Sequence, residues 1–157
     1  FVAQPFVISG SSMSPTFEAN EYLIIDEMTF NFRKPVRDDV IIFKYPLDPS
    51  NYFIKRVIGV PTNVISIEGK LLVVYDSEGK ELFRLIDDHP TQPGKSSRYS
   101  TTLGRDEYFV LGDNREASSD SRMWGPVQER FIIGRPIFRL YPFDQMKMFP
   151  GVEEYVR

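Results

Sequence analysis

The chain has 157 residues, and its 22 acidic residues outnumber its 19 basic ones to give a net charge of −3. A chain of this length is most simply one domain, residues 1–157, and its acidic balance without a long basic run argues against a nucleic-acid partner. The absence of cysteine excludes disulfides, thiol catalysis and thiolate metal sites, and no metal or other cofactor is predicted.

Short apolar runs rich in β-branched and aromatic residues recur along the chain, and such runs are typical of β-strands. No stretch keeps a helical period for about twelve residues. We therefore predict an all-β fold with little helix, in which about ten antiparallel strands form curled, barrel-like sheets. The predicted strands lie, in chain order, at residues 6–8, 22–25, 40–43, 53–54, 64–67, 71–75, 108–111, 131–133 and 136–140.

Turn-forming residues divide these strands. Gly69 and Gly79 predict two successive hairpins, so that residues 64–85 form a small meander. The polar interval 87–105 is rich in Pro, Gly and Ser and is predicted to be an exposed loop. The longest apolar runs, at residues 40–43 and 71–75, are far shorter than the roughly 20 residues that span a bilayer, so no transmembrane helix is predicted in this chain.

Three short motifs carry the candidate chemistry. A serine hydroxyl is a poor nucleophile near neutral pH and needs a base held against it. The chain has one histidine, His89, isolated in the polar interval, so a serine–lysine pair is the most economical hydrolytic interpretation. Chemistry alone does not choose among the neighbouring serines Ser11, Ser12 and Ser14. The motifs are Ser12-Met13-Ser14-Pro15-Thr16, Phe53-Ile54-Lys55-Arg56, and the run from Gly112 through Asp113, Ser118, Asp120 and Arg122 to Gly125.

These motifs, in this order, resemble those of the type I signal peptidases, which are membrane-bound serine proteases that remove signal peptides from exported proteins. The resemblance extends from about Phe6 to Phe143. It implies that Ser12, directly before a methionine, is the nucleophile and that Lys55 is the general base. Burial of Lys55 among apolar neighbours would lower its pKa to roughly 7–8, as this role requires.

The resemblance also implies a supporting set of residues around the dyad. The backbone amide of Ser12 and the region of Gly10 would form the oxyanion hole, since Gly10 stands where some members of the family have a serine. Ser118 would hydrogen-bond the nitrogen of Lys55. Asp120 would pair with Arg122, and Asp113 would pair with Arg56 or Arg115.

Substrate choice follows from the Ala-x-Ala pattern of signal-peptide cleavage sites. An extended peptide sends alternate side chains the same way, so the residues at −1 and −3 would enter adjacent shallow pockets. Met13 and Phe17 are assigned either to this groove or to a surface that faces the membrane, and each apolar residue could equally be ordinary core. By resemblance, the pockets would be lined by Phe6, Ile8, Phe17, Leu23, Phe53 and Ile54.

The expected enzyme is an endopeptidase at the cell membrane, with its catalytic domain on the extracytoplasmic face. Its partners would be the signal peptides of exported preproteins and the phospholipid surface, and an amino-terminal membrane anchor would precede Phe1. Two alternatives remain open. One is a self-cleaving repressor-type Ser/Lys protease domain, and the other is a catalytically inactive β-barrel interaction module.

Overall fold

The computed structural model describes residues 3–86 and 98–151. Strands dominate both ranges, and the two α-helices are single turns, so the predicted all-β class with little helix is confirmed. Neither helix is long or apolar enough to cross a membrane, and no other helix within the described ranges is. The strands are β1 Ala3–Val7, β2 Tyr22–Asp26, β3 Val40–Tyr45, β4 Asp48–Gly59, β5 Val64–Glu68, β6 Leu71–Tyr75, β7 Glu81–Ile86, β8 Arg98–Thr102, β9 Glu107–Leu111, β10 Val127–Gln128, β11 Ile132–Tyr141 and β12 Lys147–Met148. The helices are α1 Thr29–Phe32 and α2 Ser121–Trp124, with 3-10 turns at Glu129–Phe131 and Phe143–Gln145.

The strands form two antiparallel sheets. The larger sheet has the order β1-β2-β11-β3-β4-β9-β10, with β12 paired to β11, and the smaller has the order β7-β6-β5-β8. The larger sheet is open, with β1 and β10 at its ends. The register of β11 shifts against both β2 and β3, and such irregularities bend and twist a strand.

The smaller sheet contains the predicted meander. The hairpins β5–β6 and β6–β7 pair over residues 64–86, with one register shift between Val74 and Tyr75 in the second hairpin, which confirms the prediction made from the two turn glycines. This sheet packs over the apolar cluster that includes Ile58, Ile65, Leu72 and Phe109.

The prediction of an exposed loop over residues 87–105 is wrong at its carboxyl end. Residues 98–102 form β8, which pairs with β5 from Arg98↔Glu68 to Thr102↔Val64. Its alternate residues, Tyr99 and Thr101, are half-buried, and the ring of Tyr99 lies 6.3 Å from that of Phe109. Leu103 is buried in the core. The polar composition concealed the strand because its other face lies in solvent. Residues 87–97 lie outside the described residues.

Strand β4 holds the core together. Its apolar side chains contribute to three clusters: Ile58 packs beneath the smaller sheet, Val57 packs with Phe43 and Tyr108, and Ile54 packs against a third cluster. The third cluster consists of Ile8, Met13, Phe17, Leu23 and Val40. Because β4 packs against all three clusters and pairs with both β3 and β9, the position of a residue on this strand is well defined.

Gly134 marks a point where β11 passes very close to β2. A Cβ at Gly134 would lie 2.3 Å from the backbone oxygen of Asp26, and backbone in the middle of a sheet cannot move aside. We expect Gly134→Ala to lower the free energy of unfolding by about 2 kcal/mol, measured by urea denaturation. The control is Gly104→Ala, where the nearest atoms, at 3.3 Å, belong to the end of the Glu107 side chain, which can shift more easily than backbone. Equal losses in the two variants would contradict this explanation.

Candidate active site

The loop that carries Ser12 is anchored from below. It leaves β1 after Val7, and the amide of Ile8 donates to the carbonyl of Glu21 at the far end of the loop. Met13 and Phe17 are fully buried and pack with Leu23 and Val40. The assignment of Met13 and Phe17 to the groove or to a membrane-facing surface is therefore wrong. Both side chains point into the core. Ser12, directly before Met13, is half-buried.

Lys55 projects from β4 toward this loop. Its side chain is buried, and its Nζ lies 2.7 Å from the Oγ of Ser12 and donates to the carbonyl oxygen of Ile54 at 3.0 Å. The hydroxyl of the rival Ser14 donates instead to Glu18 at an exposed position. The structure thus brings together the serine and the lysine that the motifs indicated.

The electrostatic environment of Lys55 suits a base. Burial lowers the pKa of Lys55 from the ordinary 10.5 to about 8, while the carboxylates of Asp120 and Asp113 oppose this shift. A lysine with this pKa exists partly as the neutral amine near neutral pH. The same 2.7 Å separation then allows the Ser12 hydroxyl to donate to the amine lone pair.

Asp113 pairs with Arg56, one of the two predicted alternatives. The guanidinium donates from Nε to Oδ1 at 2.9 Å and from Nη2 to Oδ2 at 2.7 Å, and both side chains are almost completely buried. Arg56 Nη1 donates to the carbonyl oxygens of Asp38 and Gly151. The hydroxyl of Thr16 donates to Asp113 Oδ2 at 2.6 Å. The sequence analysis missed this last contact, although Thr16 closes the first motif.

The predicted pair of Asp120 and Arg122 is confirmed. Asp120 is completely buried and accepts from Arg122 Nε and Nη2, both at 2.9 Å. Its Oδ2 also accepts from the amide of Gly112 at 3.1 Å, and Oδ1 accepts from the amide of Arg122 at the start of α2. The pair therefore fixes the fold of the 112–122 segment.

Gly112 packs closely against both Ser118 and the Ser12 loop. A Cβ at Gly112 would lie 2.2 Å from Ser118 Oγ and 2.4 Å from the carbonyl oxygen of Ser12, so this position has room for hydrogen only. The amide of Asn114 donates to the same Ser12 carbonyl at 3.0 Å. The predicted hydrogen bond from Ser118 to Lys55 does not form. Ser118 Oγ is buried without a hydrogen-bond partner among the described residues, because it lies against Gly112, while Lys55 Nζ contacts Ser12 and Ile54.

A groove of about 530 Å³ leads to the dyad between β1 and β4. Five predicted substrate-binding residues line it: Phe6, Ile8, Leu23, Phe53 and Ile54. Met13 and Phe17 do not. The sequence analysis missed several other lining residues, although Ser50, Asn51 and Tyr52 precede Lys55 on one strand; the missed set is Val7, Ser9, Ser11, Ile42, Ser50, Asn51, Tyr52, Ala117 and Ser119.

Gly10 and Ser12 also line the groove, and Gly10 has a φ of +87°. A left-handed backbone of this kind suits glycine, and Gly10 presents no side chain to the groove two residues before Ser12. Within residues 3–86 and 98–151, no group of three or more acidic or histidine side chains is placed to hold a metal ion.

Known proteins resemble this chain over most of its length. The sequence model of the family described as "Signal peptidase, peptidase S26" matches residues 1–141. Signal peptidase I of Leptolyngbya laminosa is 34% identical over 155 residues, which cover 93% of this chain and 72% of that protein. Signal peptidase I of Pseudomonas aeruginosa is 28% identical over 200 residues, covering 96% of this chain and 70% of that protein.

Among solved structures, a signal peptidase I from Enterococcus faecalis V583 is similar at a TM-score of 0.48 and 27% identity, covering 66% of this chain and 97% of that chain. Because the family model matches residues 1–141 and the relatives follow most of the chain, this protein belongs to the signal peptidase family, peptidase S26, and is a signal peptidase hydrolase.

Proposed function

We propose that this protein is a serine endopeptidase that cleaves amino-terminal signal peptides from exported preproteins after an Ala-x-Ala-like site, using Ser12 and Lys55. The observation that carries the proposal is the 2.7 Å separation between Ser12 Oγ and Lys55 Nζ at the end of an apolar groove. Burying the Lys55 amine costs free energy, because its ammonium form must be removed from water. The contact with Ser12 is therefore better explained by a chemical role than by a contribution to stability.

The reaction follows from this geometry. The neutral amine of Lys55 takes the Ser12 proton as the hydroxyl oxygen attacks the scissile carbonyl carbon. The resulting ammonium gives that proton to the leaving amine, and the signal peptide stays attached to Ser12 as an ester. Lys55 then takes a proton from water, whose oxygen attacks the ester, and returns it to Ser12 as the acyl group leaves.

The oxyanion of each tetrahedral intermediate needs hydrogen-bond donors, and one donor is worth about 2.7–4 kcal/mol. We assign this role to the backbone amide of Ser12 and the adjacent Gly10 region. The open backbone of Gly10 on the groove surface supports the assignment. The loop is held from behind by Asn114 and Gly112, so its amides would not need to reorganise during the reaction.

Substrate selection follows from the walls of the groove. β1 is an end strand of the larger sheet, so its free edge can pair with an extended peptide. Alternate side chains of that peptide then point to the same wall, which Ile8, Leu23 and Ile54 already fill. Shallow pockets of this kind accept alanine at −1 and −3 and exclude larger residues.

The dyad is tested by substitution. Ser12→Ala and Lys55→Ala should each lower cleavage of an Ala-x-Ala peptide at least about a thousandfold, measured by mass spectrometry of the products. Lys55→Arg should be equally inactive, because a guanidinium keeps its proton near neutral pH.

Ser14→Ala and Lys44→Ala are the matched controls for the dyad variants and should cleave at the wild-type rate. Full activity of Ser12→Ala would contradict Ser12 as the nucleophile, and full activity of Lys55→Ala or Lys55→Arg would contradict Lys55 as the base. A folded wild-type protein that fails to cleave, in detergent and in membranes alike, would favour the inactive-module alternative.

The lowered pKa of Lys55 gives the pH dependence of the reaction. The base is active when it is neutral, and its pKa lies at about 8, so kcat/KM should rise with pH through a midpoint near 8. The expected increase from pH 7 to pH 9 is about tenfold, from the change in the neutral fraction. A flat profile between pH 6 and pH 9 in wild-type protein would contradict Lys55 as the base.

We further propose that an exposed apolar surface beside the groove contacts the phospholipid membrane, with the catalytic domain on its extracytoplasmic face. Val7 lines the groove and pairs with Tyr22, whose ring meets that of Tyr141 at 5.8 Å. Tyr141 in turn meets Phe143 at 5.6 Å. The surface continues through exposed side chains at the carboxyl end of the described chain, namely Phe138, Leu140, Met146, Met148 and Phe149.

The membrane proposal is tested with Phe143→Ser. Transfer of a phenylalanine from water to an apolar phase is worth about 1.5–3 kcal/mol, so binding to phosphatidylglycerol–phosphatidylethanolamine vesicles should weaken at least about tenfold in a flotation assay. Ile86→Ser is the control, since Ile86 is 78% exposed against 76% for Phe143 but lies on the smaller sheet. Equal losses in both variants would mean that the surface beside the groove is not the membrane contact.

A further inference from the structure

The ring of Phe53 lies directly beside the catalytic amine. Phe53 and Lys55 are two residues apart on β4, so their side chains share one face of the strand. The distance from Lys55 Nζ to the ring centroid is 5.0 Å. This is within the range at which an aromatic face attracts a cation.

Neighbouring aromatic residues hold this ring in place. Tyr45 stacks on it with a centroid distance of 4.5 Å and an interplanar angle of 14°. Phe43 meets it edge-on at 6.2 Å, and Trp124 lies at 6.5 Å. Since Phe43 is completely buried, it gives the ring of Phe53 a fixed surface to pack against.

The charged groups around Lys55 are already engaged. Asp120, from the 112–122 segment, is paired with Arg122, and Asp113 is paired with Arg56, which follows Lys55 on β4. The hydrogen bonds that Nζ makes go to two uncharged oxygens, those of Ser12 and Ile54. When Lys55 becomes an ammonium, the charge therefore forms without a carboxylate in direct contact, and the ring of Phe53 is an additional group at the right distance to stabilise it.

We propose that Phe53 is a positioning residue of the active site, whose ring face stabilises the ammonium that forms when Lys55 takes the Ser12 proton. The catalytic part of this inference rests on the proposed function. The neutral amine gains little from the ring quadrupole, whereas the developing ammonium gains more. The contact is thus stronger in the transition state than in the ground state, which is the condition for raising kcat.

The test is the pH profile of Phe53→Leu, which keeps an apolar side chain but has no π-face. Removing a group that stabilises the charged form lowers the pKa of Lys55, so the midpoint of the kcat profile should move down by about half to one pH unit. The rate on the high-pH plateau should also fall, because a weaker base removes the Ser12 proton less readily.

The direction of the shift separates this role from structural damage. A loosened site admits water around Lys55, and hydration moves the pKa of a buried lysine up toward its ordinary value. A midpoint that stays fixed or moves up in Phe53→Leu would overturn the proposal. Should Phe53→Leu fail to fold, Phe53→Met, which also fills the site without a π-face, gives the same prediction.

Two controls complete the design. Phe53→Tyr keeps the ring face and should keep the wild-type midpoint. Phe6→Leu removes another groove aromatic, one whose ring contacts Tyr52, and should change KM without moving the midpoint. A midpoint shift of equal size in Phe6→Leu would also overturn the proposal.

A second measurement does not depend on turnover. The ε-carbon of Lys55 can be titrated by NMR in 13C-lysine-labelled protein, in the wild type and in Phe53→Leu. A lower pKa of Lys55 in Phe53→Leu than in the wild type would support the contact even if no peptide is cleaved. Absence of cleavage would count against the proposed function alone.

Discussion

A buried ion pair between Arg56 and Asp113 connects the parts of the chain that form the active site. Arg56 belongs to β4, Asp113 to the segment that presses on the Ser12 loop, and Thr16 ties that loop to the same carboxylate. The carbonyl of Gly151 closes the other side of the guanidinium. Removing one partner of such a pair leaves an uncompensated buried charge and costs about 3–5 kcal/mol. Lys55 directly precedes Arg56 on β4, so its position depends on this pair.

The burial that lowers the pKa of Lys55 also opposes folding. The unfolded chain binds a proton at Lys55 up to the ordinary pKa of 10.5, whereas the folded chain releases it at about 8. Between these values the unfolded state holds more protons, so stability rises with pH across this window. Below about pH 8 the full penalty, about 3 kcal/mol, is present. The well-packed clusters around β4 offset this cost.

Local patterns predicted the strands and the proximity of Ser12 to Lys55, since strand periodicity and motif order are properties of neighbouring residues. Local patterns failed where the position of a side chain depends on how distant parts of the chain pack together. Met13 and Phe17 are apolar residues in a polar loop, and the sequence cannot show that the loop folds back over the core. Ser118 was assigned to Lys55, but the close approach of Gly112 to the Ser12 carbonyl places its hydroxyl elsewhere. Thr16 and Gly151 were missed because their partners, Asp113 and Arg56, are distant in sequence.

The attachment of Gly151 to Arg56 spans 95 positions of sequence, and that of Thr16 to Asp113 spans 97. Contacts between residues this far apart carry a loop-closure cost and form more slowly than local contacts. A chain that ended before Asp113 would keep Ser12 and Lys55 but would lack the carboxylate that Thr16 and Arg56 both contact. The relative position of the serine and the lysine therefore depends on residues near both ends of the described chain.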